Sequence, residues 1–310
     1  MPKHGIKIVT QQTGLSPHVL RVWEKRYQAV TPMRTDTNRR LYTDSELQRL
    51  KALAILTGLG YSIGQIARLS CSELQVLLRK HDNSINDRSE APATDLGDEQ
   101  EKGFISRAIQ ATKEMDQAKL EKIFDEANIA FGYSGLLERV MVPFIKLVGQ
   151  LWQEGHISSS DEHAASCAIR EYLAHTTRPF TSSTSSPSLI VTTPSGQLHE
   201  IGAVIAASLA RKAGWNVTYL GASLPAEEIA SAAIKRQAKA VALSIVYPID
   251  DPHLLGELGR LRRHLPNTPI IVGGQGAAAL APQLSEFKMK HLSSIREFNT
   301  CLCKIRSCSF

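Results

Sequence analysis

The sequence predicts a multidomain chain: a small basic module of helices and a hairpin, then a four-helix bundle, then an α/β domain built on a doubly wound parallel sheet. Three observations predict it. Residues 1–80 carry 13 Lys/Arg against 5 Asp/Glu, while the rest of the chain carries 23 against 25, so the net charge of +6 belongs to one N-terminal segment. Residues 100–179 show apolar spacing of helical period. After residue 188, short β-branched runs alternate with helical segments, the pattern of a parallel sheet covered on both faces.

A length of 310 residues suffices for two or three compact domains. No apolar run approaches the ~20 residues of a membrane span, and MPKHGIKIV lacks the features of a secretory signal. Cys71, Cys167, Cys301, Cys303 and Cys308 are odd in number and scattered, which points to a reducing cytoplasm. The terminal CLCKIRSC offers three sulfurs without a regular second pair and reads as free thiols on a tail. Two polar stretches divide the chain: residues 81–98 (HDNSINDRSEAPATDLGD) and residues 181–188 (TSSTSSPS) read as linkers. They leave a module over 1–80, a bundle over 99–180 and an α/β domain over 189–310.

In the first module, IKIVTQQTGLSPHVLRVWEKRYQAV holds two helical segments joined by TGLS, with Ser16–Pro17 as a helix start. The second helix carries His18, Arg21, Lys25 and Arg26. TPMRTDTNRRLYT then forms an extended hairpin bearing Arg34, Arg39, Arg40 and Tyr42, and a further helix starts at Asp44. A basic helix can read base edges in the major groove while a basic hairpin grips phosphates. Charge alone fits a solvated helix face equally well. The order of elements is more specific: SPHVLRVWEKRY followed by TPMRTDTNRRLYT resembles the winged-helix DNA-binding domain of MerR-family transcription regulators, over about the first 70 residues. The resemblance implies that His18, Arg21, Lys25 and Arg26 lie on or near the recognition helix. It places Trp23 and Tyr27 in its packing, and Arg34, Arg39, Arg40 and Tyr42 on the wing against phosphates. It also implies binding as a dimer to a pseudo-palindromic stretch of double-stranded DNA.

The α/β region reads as strands LIVTT, NVTYLG, AVALSIV and PIIVGG, separated by helices such as EIGAVIAASLARKAG and PAEEIASAAIKRQ. SGQLHEIG (195–202) is the turn after the first strand, where α/β proteins place ligand-binding atoms. A histidine there, His199, fits a base, a metal ligand or neither. His199-x-x-Gly202, Ser244-x-Val246 and Gly273-Gly274 fall at successive strand ends. They resemble the cobalamin-binding signature D-x-H-x-x-G, S-x-L, G-G with matching separations. By that resemblance His199 is the lower ligand of cobalt, displacing the cofactor's own dimethylbenzimidazole. Gly202, Gly273 and Gly274 keep side chains out of the slot for the displaced nucleotide tail, Ser244 hydrogen-bonds the tail, and Val246 stands where the pattern has Leu. Gln197 stands where the pattern has the aspartate that orients the histidine, and its amide is expected to accept a hydrogen bond instead. In GGQGAAA, Gly274, Gly276 and Ala279 also fit G-x-G-x-x-A, but on the fourth strand and with no acidic residue following on a second strand, so the nucleotide reading is weak.

Within the bundle, Trp152, nine residues and Glu162-His163 match the W-x9-E-H motif of the light-sensing regulators of the CarH/LitR group. That resemblance implies a bundle covering the upper face of adenosylcobalamin, with Trp152 against the adenosyl group and Glu162 and His163 at its polar edges or the corrin. On the residues alone Trp152 reads as core, and His156, Asp161, Glu162 and His163 match no common metal spacing. Well-known members of the group place a histidine directly after the tryptophan; this chain has Gln153, and an amide is a poor cobalt ligand. Together the resemblances imply a cytoplasmic, homodimeric or homotetrameric, adenosylcobalamin-dependent and light-responsive repressor, in which the cofactor is a signal and the chain is no enzyme. Two alternatives stay open. One is a cofactor-independent regulator with a protein partner docked on its body; the other is a methyl-carrier or mutase subunit, against which the basic DNA-binding module argues.

Overall fold

The computed structural model describes residues 3–35, 38–59, 61–84, 95–177, 186–248 and 250–307. Its contacts gather into two compact units, Met1–Ala168 and Ile169–Phe310.

The first unit opens with β1 (Lys3–Gly5), α1 (Ile6–Thr13), α2 (Pro17–Tyr27), β2 (Met33–Arg34), β3 (Arg40–Thr43), α3 (Asp44–Gly58), α4 (Ile63–Ile66) and α5 (Cys71–Ser84). Local chemistry sets these boundaries. Ser16 caps α2, its hydroxyl accepting from Val19 N at 3.2 Å, with Pro17 at the first helical position. Thr43 and Glu46 form a reciprocal capping box that starts α3. The strands make an antiparallel sheet in the order β1-β3-β2, with Arg34 opposite Arg40 in the wing. Val9, Leu20, Trp23, Tyr42, Leu53 and Ile63 are among the residues that fill the core beneath it.

The bundle follows: α6 (Asp95–Lys113), α7 (Gln117–Gly135), a π-helical turn (Leu136–Met141), α8 (Val142–Gln153) and α9 (Ser159–Thr177). Helix α7 packs on α6 and also on α2, α3 and α4. The basic module and most of the bundle therefore share one compact unit, where the sequence suggests separate domains. Helix α5 runs to Ser84 and α6 begins at Asp95, so helix occupies both ends of the expected 81–98 linker; its middle, 85–94, lies outside the described residues. The 181–188 joint lies outside them up to residue 185, and the division between units falls inside α9.

The second unit alternates as expected: β4 (Ser188–Thr192), α10 (Ile201–Lys212), β5 (Asn216–Tyr219), α11 (Ala226–Lys235), β6 (Ala240–Ser244), α12 (Leu254–His264), β7 (Ile270–Gly273), α13 (Ala281–Glu286), β8 (Lys290–His291) and α14 (Ile295–Ser307). All five strands are parallel, in the order β5-β4-β6-β7-β8. The apolar runs of β4, β6 and β7 are buried, as expected for central strands of a sheet covered by helices. The direction of winding reverses between β4 and β6, and ligands of such sheets bind at that switch point, outside the strands' carboxyl ends. CLCKIRSC is no tail over its described part. Cys301 and Cys303 lie in α14 and Cys301 is buried, while Cys308 lies outside the described residues. No described helix is long and apolar enough to cross a membrane.

Candidate functional site

The switch point gathers the residues that the spacing singles out. The turn after β4 carries Gln197 and His199, and the end of β6 carries Ser244 to Pro248. The Ser244 hydroxyl is buried and has no hydrogen-bond partner among the described residues. It faces Gly202 in the first turn of α10, where an added Cβ would lie 2.6 Å from that oxygen. A buried hydroxyl without a partner keeps hydrogen-bonding capacity for another polar group.

Gln197 departs from expectation. Its side chain is fully buried and turned away from His199: Oε1 accepts from Val246 N at 3.0 Å, and Nε2 donates to Pro248 O at 2.6 Å. Thr193 adds a hydroxyl bond to the Gln197 carbonyl at 2.5 Å. The amide thus staples the β4 turn to the β6 loop and leaves the imidazole alone. His199 is exposed, and its ring stands edge-on to Tyr247 at 6.2 Å between centroids. The residue after it, Glu200, is held from two sides. Tyr219 OH donates to it at 2.5 Å and Arg170 stands 3.4 Å away. Burial, and then this bond to Glu200, push the Tyr219 phenol well above its usual range. Tyr247 and Arg170 escaped the sequence reading, since nothing in spacing ties either to the turn.

A Cβ on Gly274, where φ is +100°, would lie 2.2 Å from Ile245 O, so only glycine lets the β7 turn close onto β6. Gly273 has only Leu292 O near, at 3.7 Å. Of the three glycines, Gly202 is the one that faces Ser244.

In the bundle, Trp152 is no core residue. It is 43% exposed, and its indole N–H donates to Ser159 Oγ at 3.0 Å. That bond brings Trp152 to the first turn of α9, which also carries Glu162 and His163, so the motif collects at the α8–α9 corner. Glu162 accepts from Ser166 at 2.7 Å and lies 2.6 Å from His163 Nδ1. His156 instead lies 3.2 Å from Glu154, and Gln153 is exposed.

On the basic module, His18, Arg21, Lys25, Arg26 and Arg39 are exposed, the first four along α2. The wing differs from expectation in two places. Tyr42 is fully buried, its OH without a partner among the described residues, so it packs the core instead of meeting phosphate. Arg40 is drawn down onto Glu24 of α2 at 2.5 Å, and Arg34 stands 3.5 Å from the same carboxylate.

By its family matches the chain joins a MerR-type helix-turn-helix region to two B12-binding regions, the make-up of a transcription regulator. Residues 6–72 match the MerR HTH family regulatory proteins, and residues 105–176 and 187–291 each match a B12 binding domain family. Within that class the chain is similar to the HTH-type transcriptional repressor CarH of Myxococcus xanthus, 29% identical over 280 residues, spanning 88% of this chain and 89% of that protein. It is also similar to the repressor CarA of the same organism, 24% identical over 273 residues, spanning 88% and 86%. The fold resembles that of the Methanosarcina barkeri monomethylamine corrinoid protein, with a TM-score of 0.52 at 14% identity over 66% of this chain and 99% of that one.

Proposed function

We propose that the chain is an adenosylcobalamin-dependent repressor that holds its operator in the dark and releases it in light. The observation that carries the reading is the Ser244 hydroxyl, buried and unpartnered opposite Gly202, beside an exposed histidine at the switch point. His199 offers a ring nitrogen to cobalt and Ser244 a hydrogen bond to the nucleotide tail, while Gly202 lets that hydroxyl approach α10 closely. Trp152, with Glu162 and His163 beside it, forms an exposed apolar ring with a polar edge at the α8–α9 corner, a surface suited to a bulky ligand of mixed polarity. When bound, adenosylcobalamin supplies a cobalt–carbon bond that green or blue light breaks.

The protein's own part is to bind and to change oligomeric state. A ligand shifts an equilibrium only by its differential affinity for two states, so the residues above favour the homodimer or homotetramer that grips double-stranded DNA. Arg21, Lys25 and Arg26, with His18, face the major groove, and Arg39 faces phosphate. The test is an absorption spectrum of protein purified with adenosylcobalamin in the dark, before and after illumination, with size-exclusion chromatography. His199→Ala is expected to lose the histidine-bound bands and most of the affinity; an unchanged spectrum in that variant overturns the reading.

A further inference from the structure

Helix α7 contains a residue that no helix accommodates. Gly132 has φ 67° and ψ 173°, a backbone region that only glycine occupies at low cost. Glycine is also required for space, since a Cβ there would lie 2.9 Å from the Thr57 hydroxyl. Thr57 is fully buried near the end of α3 in the DNA-binding module. Gly135, one turn on, meets Thr57 again: a Cβ there would lie 3.3 Å from the Thr57 carbonyl. The helix then continues as the π turn from Leu136 to Met141, and such irregular turns break the regular backbone ladder. Just before the break, the Ile129 carbonyl accepts a hydrogen bond at 3.0 Å from the indole N–H of Trp23. Trp23 is fully buried on the inner side of α2, the helix whose outer side carries Arg21, Lys25 and Arg26.

We propose that α7 positions the recognition helix: the Gly132 break seats α3, and the Trp23–Ile129 bond fixes the angle at which α2 is presented to DNA. Trp23 and Gly132 are positioning residues, since neither faces the exposed basic side. The physical reason is one of direction. Apolar packing on α7 holds the two bodies together but tolerates sliding, whereas an indole N–H aimed at one carbonyl selects a single register. Phosphate contacts from flexible Arg and Lys chains survive a small tilt of α2. Bidentate contacts to base edges do not.

The test uses the full chain and two variants. Trp23→Phe keeps the ring in the core and deletes the donor, while Gly132→Ala forbids the backbone angle and drives a methyl into Thr57. Gly149→Ala in α8, where an added Cβ meets nothing within 4 Å, is the control. A duplex enriched from a random pool by the wild-type protein is compared with a random duplex of equal length. Both variants are expected to lose about fivefold to tenfold of the preference for the enriched duplex, as the loss of one buried hydrogen bond allows, with an unchanged salt slope. Faster hydrogen exchange along α2 and α3 in both variants, absent in the control, is the second expected result. Retained preference together with unchanged exchange overturns the proposal. If the wild type enriches no duplex, DNA reading by the module fails as a separate matter, and the exchange measurement alone decides whether α7 positions α2.

Discussion

The Ser244 hydroxyl sits opposite Gly202 with no room for a side chain between them: a Cβ on Gly202 would stand 2.6 Å from the oxygen. The pair has opposite effects on folding and on binding. An unpartnered buried hydroxyl weakens the folded state, so Ser244→Ala should raise the stability of the second unit by about 1 kcal/mol. The same change should weaken cobalamin binding, and Gly202→Leu should weaken it more by pushing the Ser244 hydroxyl aside. Hydrogen exchange of β4 and β6 measures the first effect and spectral titration with cobalamin the second. A Ser244→Ala protein that is both less stable and equally good at binding would show that the hydroxyl is structural.

Gln197 makes a separate prediction. Its two amide atoms satisfy Val246 N and Pro248 O, so Gln197→Ala strands both and should cost the second unit about 2 kcal/mol. Gln197→Glu keeps the acceptor for Val246 but sets a carboxylate against a carbonyl, and should cost more than alanine at neutral pH. Protonation in acid returns a donor, so the glutamate variant alone should recover stability as pH falls. Exchange rates in β4 and β6 across that range check the sign.

The fate of this glutamine shows what the sequence can and cannot carry. Strand and helix periods are properties of local runs, so the four longer strands and the helix starts at Ser16–Pro17 and Asp44 are legible from neighbours in the chain. Spacing at strand ends also brought His199, Gly202 and Ser244 to one switch point. Side-chain direction is different, because it depends on atoms far away in sequence. Gln197 was expected to serve the histidine, yet the backbone of a loop some fifty residues later offers it a donor and an acceptor at once. Tyr42 was expected on the wing surface, and strand alternation puts it inward. The two-residue strand β8 is too short for any periodicity to reveal.

Tyr42 gives a prediction with a pH window. Burial, and next the nearby Glu24, push its phenol from 10.0 up to about 12. Below 10 the phenol is neutral in folded and unfolded chains alike; from there toward 12 the unfolded chain ionises first, so stability falls as pH rises. Tyr42→Phe removes both the titration and an unpartnered buried OH. The variant should gain about 1 kcal/mol near neutrality and lose less stability than wild type between those two values. Urea unfolding followed by circular dichroism, near neutrality and within the window, measures both. A phenylalanine variant that is less stable at neutral pH would mean the hydroxyl has a partner.

Arg39 and Arg40 are neighbours with one charge each, and the structure separates them. Arg39 is exposed on the wing, while Arg40 lies against Glu24 at 2.5 Å, and both side chains of that pair are largely buried. The hydrogen bond to Glu24 is the main cause that raises the Arg40 guanidinium further above its already high range. Arg39→Ala should therefore weaken binding to all duplexes alike and reduce the dependence of log affinity on log salt by about one. Arg40→Ala should act through the fold: it leaves the Glu24 carboxylate on α2 with Arg34 at 3.5 Å in place of its close partner, and should cost about 1 kcal/mol of stability. Its salt slope should stay near that of the wild type, because Arg40 spends its charge inside the protein. Filter binding over a salt series, paired with urea unfolding of each variant, separates the two residues. Equal changes of slope for both would show that Arg40 leaves Glu24 to meet phosphate when DNA arrives.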